Sequence, residues 1–208
     1  MLLMKKFTNN VALRIVVYLF FLLASITLFY LLVYRPWSLS WGATAEEVNR
    51  QMPGDDILEK PTFNATRAIS IKASPEEIWP WIIQIGYKRA GFYSYDRLDN
   101  DGVHSSDIIL PEYQGLEVGD LIPMSKGFYA VVTELDPYHS MVMDFQPWVW
   151  SWGLYQTDLG YTRLVTRVYC QTNDGIFNFT LDAFEIIMMR KCLLGIKQRV
   201  ETNINLSR

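Results

Sequence analysis

Residues 74–100, SPEEIWPWIIQIGYKRAGFYSYDRLDN, begin with the signature of a short helix. Ser74 and Glu77 have the spacing of a capping box, and Pro75 suits the first helical position. Pro80 removes one hydrogen bond inside the helix, so a bend is expected there. The apolar face and the aromatic residues that follow it are Ile78, Trp79, Ile82 and Ile85, then Phe92, Tyr93 and Tyr95. A bent helix followed by aromatic residues suits the rim of a cavity.

Alternating hydrophobic residues predict an antiparallel sheet with one buried face and one wet face. One strand, residues 63–72, leads directly into the helix. Further strands are predicted at 128–135, at 140–146, from Trp148 to Leu154, and at 162–171. Residues 96–119, which separate the helix from these strands, show little periodicity and are expected to form loops.

Large side chains share faces within these strands. Successive side chains of a strand point to opposite faces, so alternate residues lie together. The resulting sets are Met141, Met143 and Phe145; Trp148, Trp150, Trp152 and Leu154; and Leu164, Val168 and Cys170 opposite Arg163 and Arg167. The tryptophans allow two interpretations, a filled core or the stiff wall of a hollow.

The last predicted element is a long helix from Phe179 to about Asn203. One apolar stripe runs along it at spacings of three and four residues, through Ile186, Met189, Leu193, Ile196 and Val200. Gly195 weakens a helix by about 1 kcal/mol relative to Ala, which indicates a close backbone contact there.

Residues 15–34, IVVYLFFLLASITLFYLLVY, form a run of 20 residues without a charge. A helix of this length spans about 30 Å, the thickness of the hydrocarbon core of a bilayer. A secretory signal peptide is the alternative, but its apolar region usually has only about 7–15 residues. We therefore predict an uncleaved single-pass anchor, with residues 15–34 in the lipid bilayer. The flanking basic residues favour a cytoplasmic N-terminus and a domain on the opposite side.

Charge and cysteine content exclude several classes of protein. The first 35 residues carry four basic side chains and no acid, so the remaining residues hold 15 basic and 22 acidic side chains. Such an acidic part argues against a nucleic-acid partner. Cys170 and Cys192 have no zinc-type spacing, and the sequence leaves open whether they pair. Asp99-Asn-Asp101-Gly102 fails the calcium-loop pattern, so neither a metal nor a cofactor is predicted.

His104 and Asp96 are the catalytic candidates in the loop at 96–119. His104 and Asp107 are three residues apart and can form an acid–base pair, and Asp96 lies in the same loop. The alternative is an ordinary histidine in a polar loop.

The order of these elements resembles that of the START-like or SRPBCC superfamily, in particular its polyketide cyclase/dehydrase-like and membrane-anchored members. The resemblance covers roughly residues 41–201. It rests on Trp41-Gly-Ala-Thr44, Pro53-Gly-Asp55, Ile78-Trp-Pro-Trp81, Gly91-Phe-Tyr-Ser-Tyr-Asp96, His104-Ser105, Val118-Gly-Asp120 and Met189-Arg-Lys-Cys-Leu-Leu-Gly-Ile-Lys197. It implies an α+β helix-grip fold, in which a curved antiparallel sheet wraps a long C-terminal helix around a cavity. Members bind lipids, hormones or polyketides, and only some are enzymes.

We therefore expect a transmembrane anchor at residues 1–35, a linker with a short helix at 36–62 and a helix-grip domain at 63–208. The short helix of the linker is predicted from the capping-box spacing Thr44-x-x-Glu47. The first functional hypothesis is a membrane-anchored binding module for a hydrophobic or amphipathic small molecule, such as a lipid. Its expected ligand-binding residues are Trp79, Tyr93, Tyr95, Met143, Trp150, Trp152, Arg167 and Met188. The alternatives are a cyclase, dehydratase or hydrolase that uses His104 or Asp96, and an interaction domain with a filled core.

Overall fold

The computed structural model of the chain describes residues 2–172 and 174–207, without the side chains of residues 2–10, 176, 178 and 207. It separates into two compact units, Met1–Ser38 and Leu39–Arg208. The first unit contains one long helix (α1, Leu2–Phe29), a π-helical turn (Tyr30–Tyr34) and the short α2 (Arg35–Leu39). Its apolar segment, Val11–Leu39, is long enough to cross a bilayer, a property that a signal sequence shares. The direction of insertion stays a prediction.

The second unit is built on a six-stranded antiparallel sheet with the spatial order β1-β6-β5-β4-β3-β2. The strands are β1 (Phe63–Ile71), β2 (Leu121–Ser125), β3 (Phe128–Asp136), β4 (Ser140–Asp144), β5 (Trp148–Gln156) and β6 (Thr162–Cys170). The helices of this unit are α3 (Ala45–Asn49), α4 (Pro75–Ile83), α5 (Asp96–Asp99) and α6 (Gly175–Ser207), with a 3₁₀ turn at Pro111–Tyr113. Register shifts in the β2–β3 and β3–β4 pairs bend the sheet. The predicted helix-grip fold is confirmed.

Local signals in the sequence form as expected at both short helices. The Thr44 and Ser74 side chains accept hydrogen bonds from the N–H groups of Glu47 and Glu77. The Glu47 and Glu77 carboxylates in turn accept the Thr44 and Ser74 N–H groups, each at 2.8 Å. The helix α6 begins four residues before the predicted start. Its first turn is capped by Asp174, whose Oδ1 accepts the Phe177 N–H at 3.1 Å.

The core lies between the inner face of the sheet and α6. The predicted stripe on α6 is buried along its length, at Ile186, Met189, Leu193, Ile196 and Val200. From Met189 onwards, it belongs to the same hydrophobic core as the inward residues of β5 and β6, including Trp152, Leu164 and Val168, and α6 lies closest to β1.

The outer face of the sheet is covered by an outer segment, residues 43–58 of the second unit. Met52 and Leu58 of this segment are buried against outward-facing residues of the sheet. Arg163 makes two hydrogen bonds of 2.8 Å to the Glu47 carboxylate. The segment is therefore held to the sheet by apolar contacts and by charge.

Arg167, which the sequence analysis placed among the cavity residues, instead lies under this outer segment. Its guanidinium donates to Asp55 Oδ2 at 2.8 Å, to Thr66 Oγ1 at 2.7 Å, and to the carbonyl oxygens of Glu47, Val48 and Arg50. Alternation along β6 explains the correction, because Val168 faces inward and its neighbour must then face outward.

We expect Arg167→Lys to lower the free energy of unfolding by about 2 kcal/mol or more, because a lysine ammonium cannot reproduce this set of hydrogen bonds. Thermal unfolding of the full chain in detergent, followed by tryptophan fluorescence, measures the effect. The exposed Arg97→Lys is the matched control. Equal unfolding temperatures for the two variants would contradict the structural role of Arg167.

The predicted close contact at Gly195 is present. A Cβ atom at this position of α6 would lie 2.8 Å from the Tyr93 Cβ and closer still to the Tyr93 carbonyl oxygen. Tyr93 has a positive φ of 57°, which is costly for an aromatic residue. It is held by its hydroxyl, which accepts from Gln84 at 2.8 Å and donates to the Trp81 carbonyl at 3.0 Å.

Gly195→Ala is expected to destabilise the chain by about 2 kcal/mol, because α6 must move away from the Tyr93 backbone. Gly175→Ala, at the open first position of the same helix, is the matched control and should be neutral or slightly stabilising. Chemical unfolding of both variants tests the contact. A fully stable Gly195→Ala chain would show that the helix is free to shift.

Candidate ligand-binding cavity

A cavity of about 380 Å³ lies between the inner face of the sheet and the N-terminal half of α6, and it opens to solvent. Its lining residues are Phe92, Ser94, Asp99, Met124, Phe128, Phe145, Trp148, Trp150, Val168, Glu185, Met188, Met189 and Cys192. They come from five strands or strand ends (β2 to β6), from the loop after α4, from α5 and from α6. Most of the wall is therefore aromatic or sulfur-containing.

The aromatic residues of the wall are braced against one another. Phe145 and Trp148 stack with their ring centroids 6.3 Å apart, and the edge of Phe128 contacts Phe145 at 5.8 Å. Phe92 stacks on Trp150 at 6.5 Å. Because each ring is fixed by a neighbour, none can turn freely into the hollow.

The tryptophans of β5 divide between the two interpretations that the sequence allowed. Trp148 and Trp150 line the cavity, whereas Trp152 is fully buried behind Trp150, with 4.8 Å between their rings. The indole of Trp150 is oriented by a hydrogen bond from Nε1 to Thr166 Oγ1 at 2.6 Å. Both the hollow and the filled core are present on one strand face.

Two carboxyl groups lie on the cavity wall. Asp99 stands at the end of α5, and Glu185 projects from α6. Burial raises the pKa of Asp99, and the nearby Asp96 charge raises it further. Burial also raises the pKa of Glu185, although the positive charge of Arg67 opposes this shift.

Behind Glu185, the structure places a fully buried arginine. Arg67 Nη1 lies 2.5 Å from Glu185 Oε2, and the Arg67 residue has no exposed surface. Arg67 lies on the inward face of β1, the same face as Phe63, Ala65 and Ile71. A buried pair of this kind is costly to break, because either partner alone would be an unmatched buried charge.

These charged residues were missed by sequence reasoning. Period-two alternation through the β1 strand already places Arg67 on the inward face, and Glu185 lies four residues before Met189 on the apolar stripe of α6. For both residues, the sequence offered one signal, which was a charged side chain at a position expected to face the core. No comparable pattern marked Asp99, which reaches the cavity through loop geometry.

The thiols of the chain are both free and buried. Cys192 lines the cavity, and burial together with the nearby carboxylates of Asp99 and Glu185 raises its pKa. A raised thiol pKa suppresses the reactive thiolate. Cys192 therefore serves the wall as a small apolar group. Within the described part of the chain, no group of three or more His, Cys, Asp or Glu side chains can hold a metal ion.

Of the predicted ligand-binding residues, the structure places Trp150 and Met188 on the cavity wall. Trp79, Tyr93, Met143 and Trp152 are buried, but outside the set of lining residues. Tyr95 is exposed. Arg167 lies on the outer face, as described above.

The predicted catalytic residues also lie outside this cavity. The His104 side chain is 97% exposed, and its Nδ1 is 3.2 Å from Asp96 Oδ2. The expected partner, Asp107, instead pairs with Arg199 at 2.9 Å. Asp96 lines a separate polar groove and accepts a 2.6 Å hydrogen bond from Ser105. The contacts of Asp96 with His104 and Ser105 therefore stabilise the loop, and neither His104 nor Asp96 lines the apolar cavity.

A six-stranded antiparallel sheet wrapped on a long C-terminal helix, with a hollow between them, defines a helix-grip protein. The chain matches no protein-family model and no curated protein. Among solved structures, it is similar to KanY, with 15% identity, a TM-score of 0.44, and coverage of 67% of this chain and 97% of KanY.

It is also similar to the polyketide-cyclase-like protein Cgl2372 from Corynebacterium glutamicum, with 14% identity, a TM-score of 0.40, and coverage of 71% and 96% of the two chains. DynU16, from the dynemicin biosynthetic locus, shares 15% identity and a TM-score of 0.42 over 64% of this chain, but only 46% of DynU16 is covered. These neighbours include the polyketide-cyclase-like group that the sequence resembles, and at such identities the similarity concerns the fold alone.

The raised pKa of Asp99 predicts a pH-dependent stability. The folded chain holds this proton more tightly than the unfolded chain, so stability is lost as the pH rises from the usual Asp value of 3.8 through the raised value. The groups that act on Asp99 are the Asp96 charge, which raises its pKa, and hydrogen bonds at Ser94 and Tyr95, which lower it. The Asp99 and Cys192 side chains also influence each other.

We expect Asp99→Asn to gain stability relative to the natural chain as the pH rises from 4 to 8, because the amide has no charge to desolvate. Thermal unfolding of the full chain in detergent across this range measures the difference. The exposed Asp158→Asn serves as the control. If the stability difference between the Asp99→Asn chain and the natural chain does not change with pH, the burial of an ionisable group at Asp99 is contradicted.

Proposed function

We propose that this chain is a membrane-anchored protein that binds a hydrophobic or amphipathic small molecule in the cavity between its sheet and α6. The observation that carries the proposal is an unfilled apolar hollow of about 380 Å³. Ligand pockets usually measure about 300–1,000 Å³ and are mostly apolar with a few polar groups. A filled interaction domain would not leave a hollow of this size.

The wall suits an irregular apolar ligand. The rings of Trp148 and Trp150 give flat, stiff surfaces, while Met124, Met188 and Met189 give soft surfaces that adapt to shape. Ser94 is a small polar lining group, and its hydroxyl donates to the Met188 carbonyl at 3.0 Å. The polar contribution to ligand binding must therefore come chiefly from the two carboxyl groups.

The apolar N-terminal segment supports a membrane source for the ligand. The apolar run ends at Tyr34, and the second unit begins at Leu39 of the same chain. If the segment spans a bilayer, the covalent chain keeps the cavity-bearing unit attached to a store of hydrophobic molecules.

Filling the cavity should abolish binding. Val168→Phe adds a ring at an inward position of β6, and we expect at least tenfold weaker binding of the neutral probe N-phenyl-1-naphthylamine. Tryptophan-sensitised emission of the full chain in nanodiscs, with empty nanodiscs subtracted, measures binding because two tryptophans line the cavity.

Val118→Phe, at an exposed position outside the cavity, is the control and should bind the probe normally. The unfolding temperature shows that each variant is folded. Undiminished probe binding by a folded Val168→Phe chain would overturn the cavity as the binding site.

A further inference from the structure

The charges on the cavity wall are of one sign. Among the described residues that line the hollow, Asp99 and Glu185 are acids and none is a base. Arg67 lies behind the wall and pairs with Glu185. No described basic side chain forms an ion pair with Asp99. When both acids are ionised, this set of three residues carries one negative charge in excess.

The carboxyl groups also have unused hydrogen-bonding capacity. Asp99 Oδ1 and Glu185 Oε1 are shielded from solvent, and neither accepts a hydrogen bond from the described part of the chain. A buried acceptor without a donor is costly, commonly by about 1–3 kcal/mol. A bound molecule that donates hydrogen bonds into this end of the cavity would remove that cost.

The aromatic rings favour the same chemistry. Phe92, Trp148 and Trp150 line the hollow, and none of the lining residues that the structure describes is a base. The faces of aromatic rings carry negative partial charge and attract a cation within about 6 Å. A carboxylate or phosphate head would meet the two acids and would be repelled.

Resting on the proposed function, we infer that the cavity is built for a hydrophobic molecule with one positively charged amine, held between Asp99 and Glu185. The single charge offsets the excess negative charge of the Asp99, Glu185 and Arg67 set. The two carboxyl side chains turn towards the ammonium so that their shielded oxygens accept its N–H groups, and the apolar body lies against the aromatic wall. A neutral alcohol of the same size supplies a donor but leaves the charge unmatched.

Three probes with the same chain length separate head-group chemistry from apolar binding. These are n-octylamine, n-octanol and octanoate, each used to displace N-phenyl-1-naphthylamine from the full chain in zwitterionic nanodiscs at pH 7. We expect n-octylamine to bind at least tenfold more tightly than n-octanol, and octanoate to bind most weakly. Asp99→Asn should reduce the amine affinity at least tenfold and leave the n-octanol affinity unchanged.

Glu185→Gln provides a second test, because it also removes one negative charge and brings the set of three residues to zero. In a chain shown to be folded by its unfolding temperature, this variant should lose the preference for n-octylamine over n-octanol. Asp99→Asn keeps the inference testable if Glu185→Gln does not fold.

The outcomes distinguish the inference from the proposed function. Displacement by none of the three probes, together with failure of the naphthyl probe to bind, would overturn both. Equal affinity for the three probes, tighter binding of n-octanol or octanoate, or an amine preference that survives Asp99→Asn would overturn the inference alone.

Discussion

The contact between Gly195 and the Tyr93 backbone fixes how α6 lies on the sheet. At this point the helix has no side chain, so it approaches the loop more closely than any other residue would allow. The C-terminal half of α6 is consequently packed into the core through Leu193, Ile196 and Val200. A helix is stiff over this length, so the separation of its other half from the sheet is set largely by that contact and by the groups beneath it.

The N-terminal half of α6 lies over the aromatic rings of the cavity wall and over the Arg67–Glu185 ion pair. Phe145 and Trp148 are stacked at 6.3 Å, and the Arg67–Glu185 pair joins β1 to the helix at 2.5 Å. Neither arrangement collapses easily, since braced rings cannot rotate and a buried ion pair cannot be separated without a large cost. The hollow therefore follows from a tight contact at one end and rigid groups at the other.

The two faces of the sheet use arginine differently. Arg167 on the outer face is surrounded by carbonyl and carboxylate oxygens and binds the outer segment, residues 43–58, to the sheet. Arg67 on the inner face has Glu185 as an acidic partner and lies beside a cavity with further carboxyl oxygens. Position in the strand alternation, and not residue type, decides which arginine is structural and which borders the candidate site.

By itself, the sequence determined most of the local elements: the capping boxes at Thr44 and Ser74, five of the six strands (all but β2), the stripe of α6 and the apolar N-terminal run. These depend on neighbours within a few residues, which a sequence displays directly. Only the tertiary structure decided that Trp150 lines a hollow while Trp152 is core, and that Asp99, Glu185 and Arg67 come close to one cavity. Their proximity depends on contacts between distant segments, whose distances are set by side-chain packing and not by spacing along the chain.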